Sequence, residues 1–345
     1  KYFSVEQLEE LVAKASQNGY TDVYAVFAFV GAISVFTNTL ANSIASKNEA
    51  KESIESMLTT NDVSLPSEDF VGVVDVEGTI MNTSESQGLF STPASYNHER
   101  TLNYIDSMID APNNKGIILY VNSPGGGVYE SDELYLKLKE YKEETGRPIW
   151  TYMGSRACSG GYYISMASDK IYANRNTWTG SIGVIMSLTN VKGLYDKLGI
   201  QEIDITSGPN KAIGSSGLEM TDEQRKILQG MVDESYEQFT SIVAEGRNMG
   251  INTVKPIADG RIYTAKQALN LGLIDNIDTY ENMKKAMMDA IGEDITIYTP
   301  EQQENIFASL FSKVGDLKSK SDAQVISEHL EKQGNGGLMY YAKPE

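Results

Sequence analysis

Ser159 stands directly before two glycines in Arg156-Ala157-Cys158-Ser159-Gly160-Gly161-Tyr162-Tyr163, and Lys211 follows in the turn-rich stretch Ser207-Gly208-Pro209-Asn210-Lys211. A serine hydroxyl is a weak nucleophile at neutral pH and needs a base within hydrogen-bond reach, most often a histidine. Only His98 and His329 occur in the chain, one upstream of the first glycine-rich loop and one close to the C-terminus. A His-based triad therefore has few candidates, and the pairing suggests Ser159 as nucleophile with Lys211 as general base. An exposed lysine titrates near about 10.4, so a lysine base has to be desolvated to be neutral when it acts. Closure by substrate or by a neighbouring subunit would supply that burial. Ser181, in Thr179-Gly180-Ser181-Ile182-Gly183, could hydrogen-bond the amine and hold it in place.

Acyl transfer also needs two hydrogen-bond donors aimed at the developing oxyanion. Gly160, immediately after the nucleophile, can present its N–H from a helix N-terminus. The second donor is expected from Asn122-Ser123-Pro124-Gly125-Gly126-Gly127, where the absence of Cβ atoms lets backbone approach closely. Gly126 is favoured there, with Gly125 its nearest rival. A thiol is the better nucleophile, but the glycines that free a helix start follow Ser159, so Cys158 is expected to pack as a small buried residue.

The elements that must position these groups are strands alternating with helices. Phe70–Val76 and Gly116–Val121 read as strands and His98–Asp110 as a helix between them. The first glycine loop then leads into a helix over Ser131–Glu144, and the strand Pro148–Met153 leads into Ser159-Gly160-Gly161 and another helix. This repeated strand–loop–helix unit predicts an α/β sheet with functional loops at the carboxyl ends of its strands. Ile171–Ala173 and Ile182–Met186 are expected as short strands, Thr221–Arg247 as a long helix opened by Thr221 and Gln224, and Ala265–Leu271 and Glu281–Ile291 as shorter helices. The stripe Ile227, Leu228, Met231, Val232, Tyr236, Phe239, Ile242 and Val243 on the long helix reads as intramolecular core.

The 345 residues carry a formal net charge of −18 and no basic run, which argues against a nucleic-acid partner. A single cysteine excludes an internal disulfide framework. No Cys or His cluster has zinc-ligand spacing, so neither a metal nor a cofactor is expected. Residues 1–21 read as a short amphipathic segment and 22–44, around Val23–Phe36, as a membrane anchor diluted by Thr, Asn and Ser in its second half. A linker over 45–67 precedes a catalytic domain over 68–332. The tail 333–345 is hinged at Gln333-Gly334-Asn335-Gly336-Gly337, and its Leu338–Lys343 is apolar and extended-prone, suited to lie as an added strand in a peptide groove.

Together with Ala258-Asp259-Gly260-Arg261-Ile262-Tyr263, the loops around Pro124, Ser159, Ser181 and Lys211 resemble bacterial signal peptide peptidase A in its short, single-repeat form, a family of Ser–Lys proteases in the Clp protease/crotonase superfamily. The resemblance implies an α/β Clp/crotonase-type spiral of repeated strand-strand-helix units, with a long helix and a C-terminal tail. It implies Ser159 as nucleophile, Lys211 as general base, Ser181 as the lysine's partner, and Gly126 with Gly160 as oxyanion hole. It further implies apolar peptide substrates, released signal peptides among them. The assembly implied is a homo-oligomer, an octameric ring or dome with active sites near subunit interfaces. Its location would be the bacterial cell membrane, by a single-pass N-terminal anchor with the catalytic domain extracytoplasmic. One departure stands at the front, where about twenty acidic and polar residues precede the anchor. The residues leave two other readings: a crotonase-type acyl-CoA enzyme, which would want a carboxylate where this chain has Ser159 and Lys211, and a non-catalytic membrane scaffold.

Overall fold

The computed structural model describes residues 64–82, 96–292, 295–300 and 339–341. β1 (Phe70–Glu77) reads FVGVVDVE and is buried along most of its length, as a strand covered on both faces must be. It pairs in parallel with β2 (Asn114–Ser123) on one side and β9 (Thr296–Tyr298) on the other. β4 (Ile149–Cys158) continues the sheet in parallel beyond β2, and β5 (Lys170–Ala173) and β6 (Trp178–Gly180) both pair in parallel with β4 at different heights. β7 (Ile262–Thr264) closes one edge antiparallel to β6, and β8 (Asn276–Ile277) runs parallel to β5. A second, two-stranded sheet joins β3 (Gly125–Gly127) to β10 (Met339–Tyr341).

Alternation along the strands divides the core between two faces. Val74, Val76, Ile117, Leu119 and Val121 pack with Ile105 and Met108 of α1 (His98–Asp110), Leu134 and Leu138 of α2 (Val128–Thr145) and Ile164 of α3 (Gly160–Ser165). Val71, Val73, Ile118 and Trp150 face the other way, onto Met283 and Met287 of α8 (Tyr280–Ile291). Each such side chain, taken fully from water, contributes on the order of 1.5–3 kcal/mol. The mixed α/β, mainly parallel arrangement is the fold the sequence implied, and it collects the carboxyl ends of β1, β2 and β4 on one edge of the sheet.

Helix boundaries follow local chemistry. Asn97 Oδ1 accepts from Arg100 N at 3.0 Å to open α1. Thr221 and Gln224 form the expected reciprocal capping box on α5 (Asp222–Gly246). Thr264 and Gln267 form another on α7 (Ala265–Asn270). Three further helices, α4 (Lys192–Leu198), α6 (Ile251–Val254) and a 3-10 turn at Lys255–Ile257, have no clear periodic signal in the sequence.

Several expectations need correction. Ile182–Met186 is not a strand: Gly180 and Ser181 take φ values of 80° and 49°, which turn the chain out of extended conformation where β6 ends. The Gly125–Gly127 loop is itself a strand, and α2 begins at Val128 rather than Ser131. The stripe on α5 divides. Phe239 and Val243 are buried in the core, whereas Ile227 and Met231 near its start are 42% and 45% exposed. The segments 1–21 and 22–44, most of 45–67 and most of the tail lie outside the described residues. Among the described residues no helix is long and apolar enough to cross a membrane.

Candidate active site

β4 runs past the expected Met153 to Cys158 and delivers Ser159 at its carboxyl end. Ser159 is 1% exposed and adopts φ 53° and ψ −116°, a conformation that L-residues avoid, on a sharp strand-to-helix turn. Such backbone costs on the order of 1–3 kcal/mol and persists only where its surroundings fix it. Here Ser159 N donates to Gly180 O at 2.8 Å, and Ser159 O accepts from Tyr163 N at 2.8 Å. Gly160 opens α3, so its N–H has no carbonyl one turn back to bond. α3 is pinned in turn by Tyr163, whose hydroxyl donates to Asp132 Oδ1 of α2 at 2.6 Å and accepts from Gln238 Nε2 of α5 at 2.8 Å.

β3 approaches this turn from the side. Ser123 Oγ accepts from Gly125 N at 3.0 Å and shapes the bend through Pro124. Ile80 N donates to Gly125 O at 3.0 Å and Gly127 N donates to Ile80 O at 2.9 Å. Successive strand residues point their N–H and C=O groups to opposite edges, so those of Gly126 face away from Ile80. On that side runs β10, antiparallel, with Tyr340 directly opposite Gly126. A Cβ on Gly126 would fall on the Ile80 carbonyl, which explains glycine there. A Cβ on Gly160 would stand 3.1 Å from Gly126 N and 3.2 Å from Gly125 Cα, so the two glycines named from sequence are neighbours.

Ser181 is 8% exposed, and its N–H donates to Arg261 O at 2.8 Å. It lines a cavity of about 530 Å³ together with Val184, Ile185, Val232, Tyr236, Asp233 and Asp259. The Arg261 guanidinium holds the Asp259 carboxyl down to about 2. Lys211 is exposed in a turn, its backbone N–H donating to Gly208 O at 3.2 Å. Its ammonium has no hydrogen-bond or ion-pair partner among the described residues, and it does not line the Ser181 cavity. Ser159, Gly160 and Gly126 are therefore gathered, Ser181 follows the Gly180 whose carbonyl Ser159 N–H binds, and Lys211 is not joined to them within the chain. Leu194, Leu198, Ile203 and Ile205, in the stretch that leads from α4 to Lys211, are exposed as well.

His98 is spent on structure. Its Nδ1 is 2.6 Å from Tyr96 Oη and its Nε2 is 2.8 Å from Glu133 Oε2, so neither ring nitrogen is free to act as a base. Cys158 is fully buried, and desolvation pushes its thiol up to about 12, away from nucleophilic use. No group of three or more His, Cys, Asp or Glu side chains is gathered in metal-binding geometry among the described residues. The signal that sequence reading passed over is Ile80, which fixes β3 by main-chain bonds alone and so leaves no trace in residue type.

A buried serine on a strained strand-to-helix turn, flanked by two converging glycine backbones at the carboxyl edge of a parallel sheet, defines a serine hydrolase of the α/β class. Residues 141–293 match the model of peptidase family S49. The chain is 39% identical over 279 residues to the Enterococcus faecium protein named "Putative signal peptide peptidase SppA", spanning 78% of this chain and 79% of that one. It is 30% identical over 211 residues to the chloroplastic serine protease SPPA of Arabidopsis thaliana, spanning 61% of this chain and 30% of that one. To Protease 4 of Haemophilus influenzae it is 27% identical over 264 residues, spanning 74% of this chain and 41% of that one. The chain belongs to peptidase family S49 and is a serine peptidase, which decides against the acyl-CoA and scaffold readings.

Proposed function

We propose that this chain hydrolyses extended, apolar peptides through an acyl-enzyme on Ser159, with Lys211 as general base and the N–H groups of Gly126 and Gly160 as oxyanion hole. Lys211 takes the Ser159 proton as Oγ attacks the peptide carbonyl, and the same proton passes to the leaving amine as the C–N bond breaks. Water then attacks the ester with Lys211 again as base, and the acid product leaves. The observation that carries this reading is the strand pairing of β10 with β3: an extended backbone fits antiparallel along Gly126, next to the turn that bears Ser159.

The exposed Lys211 and the exposed apolar side chains of the stretch before it support a homo-oligomer in which Lys211 of one copy enters the Ser181 cavity of the next. The apolar walls of that cavity would take the amine out of water, and the Ser181 hydroxyl would orient it. The name of the Enterococcus faecium relative supports signal peptides as substrates. The uncharged run 23–44 supports a single-pass anchor in a bacterial membrane, with the peptidase domain 68–332 outside the cytoplasm.

The test is hydrolysis of a synthetic signal peptide by the wild type, Ser159→Ala, Lys211→Ala and a co-assembled mixture of the two variants. Both variants alone should be inactive, and the mixture should recover activity, because some interfaces then join an intact serine to an intact lysine. Lys211→Ala with near wild-type turnover would refute the dyad. An inactive mixture of two co-assembling variants would refute its completion between subunits.

A further inference from the structure

Ser131 lies in the first turns of α2, is fully buried, and its Oγ has no hydrogen-bond partner among the described residues. Buried hydroxyls without a partner are rare and costly in folded proteins. A helical serine in such a place commonly bonds the carbonyl one turn back, which Ser131 does not do. Its neighbours on the same turn are engaged elsewhere: Glu130 Oε1 accepts from Asn82 N at 3.3 Å, Asp132 Oδ1 from Tyr163 Oη at 2.6 Å, and Glu133 Oε2 meets His98 Nε2 at 2.8 Å.

Ser131 Oγ is turned toward the nucleophile's helix. The point where a Cβ on Gly160 would stand is 2.5 Å from Ser131 Oγ and 3.1 Å from Gly126 N. One hydroxyl thus meets, at one spot, the two residues whose N–H groups form the oxyanion hole in the reading above, on which this inference rests. A buried O–H without a partner at this place is matched to an acceptor that arrives with the substrate.

We propose that Ser131 is a third donor of the oxyanion hole, its O–H turning onto the peptide carbonyl oxygen as that oxygen becomes negative. The proton stays on Ser131 throughout; the bond made is Ser159 Oγ to carbon, and the charge on oxygen is shared among three donors instead of two. Because the hydroxyl is unpartnered in the resting site, its interaction exists only in the transition state and acts on kcat rather than KM.

The experiment compares full-length wild type, Ser131→Ala and Ser131→Cys on a synthetic apolar peptide, with Ser159→Ala as the inactive reference. Ser131→Ala should lower kcat by about tenfold or more while KM stays within about twofold. Affinity for a peptide aldehyde, which forms a tetrahedral adduct on Ser159, should fall in parallel, and affinity for the corresponding free-acid peptide should not. Thermal unfolding should be unchanged or shifted upward, since an unsatisfied hydroxyl has been deleted. Ser131→Cys keeps the volume with a weaker donor and should fall between the two. A purely structural serine would give the opposite pattern, a lower unfolding temperature with wild-type kcat. Wild-type kcat and aldehyde affinity in either folded variant overturn the proposal. A wild type without peptidase activity dependent on Ser159 would instead overturn the peptidase mechanism and this proposal with it.

Discussion

Tyr340 lies directly opposite Gly126 in the antiparallel pair of β10 and β3. The chain's own C-terminal segment therefore occupies the strand edge along which an extended substrate would add. A covalently attached segment competes at a concentration that dilution does not lower. Deleting residues 334–345 is expected to lower the apparent KM for a peptide substrate with kcat unchanged, measured by steady-state hydrolysis. An unchanged KM, or loss of assembly on gel filtration, would assign the tail a structural role only.

Gly160→Ala would drive a Cβ against Ser131 Oγ and toward Gly126 N. Both neighbours belong to rigid elements, so the turn bearing Ser159 has to give. Turnover should fall by about a hundredfold, in the range seen when one oxyanion donor is misplaced. The circular dichroism spectrum should be retained. A variant that folds and turns over normally would show that the close approach of α2, α3 and β3 does not matter for catalysis.

Asp75, near the end of β1, has its carboxyl raised from 3.8 to about 6 by burial and by the charge of Glu77. Between those values the folded chain binds more protons than the unfolded one, so stability is highest below the window and declines as pH rises through it. Asp75→Asn removes that decline. The unfolding temperature of the variant relative to wild type should grow from pH 4 to pH 7. A constant difference would mean that Asp75 titrates alike in both states.

Arg247, just past α5, donates from Nη2 to Asp275 Oδ1 at 2.7 Å and from Nε to Gly272 O at 2.8 Å, while Asp275 Oδ2 also accepts from Ile171 N at 2.7 Å. Burial pushes the Asp275 carboxyl up, but these donors outweigh it and the net shift is downward. A carboxyl depressed on folding stabilises above its unfolded pKa and loses that contribution as pH falls through the folded value. Asp275→Asn should cost about 1–2 kcal/mol at neutral pH, allowing for screening at a partly exposed group. Urea titrations should find the gap closing toward pH 2. A gap that persists there would mean the cost comes from packing.

The strand–helix order and the gathering of Ser159, Gly160 and Gly126 were legible because they rest on local signals: apolar runs, glycines at strand ends and the Thr221/Gln224 capping pair. Ile182–Met186 misled because five apolar or small residues look like a strand whether or not the backbone is extended. The positive φ at Gly180 and Ser181 that ends β6 is set by a bond from Ser181 N to a distant carbonyl, that of Arg261. Lys211 was read from residue type and turn context alone, and no local pattern encodes where the exposed stretch 192–211 carries its side chain. Ser131 was read only as part of a helix, since a hydroxyl without a partner has no sequence signature.

In the proposed mechanism the strand that would face a bound peptide is Gly125–Gly127, which offers main-chain groups and no side chains. An edge of this kind reads whether a chain can surrender its own N–H and C=O groups, not which residues it carries. In folded proteins nearly all of those groups are already engaged. On that mechanism, protection of the cell's intact proteins would follow from their conformation, and a short fragment that has lost its parent fold would be exposed to the enzyme by that loss alone.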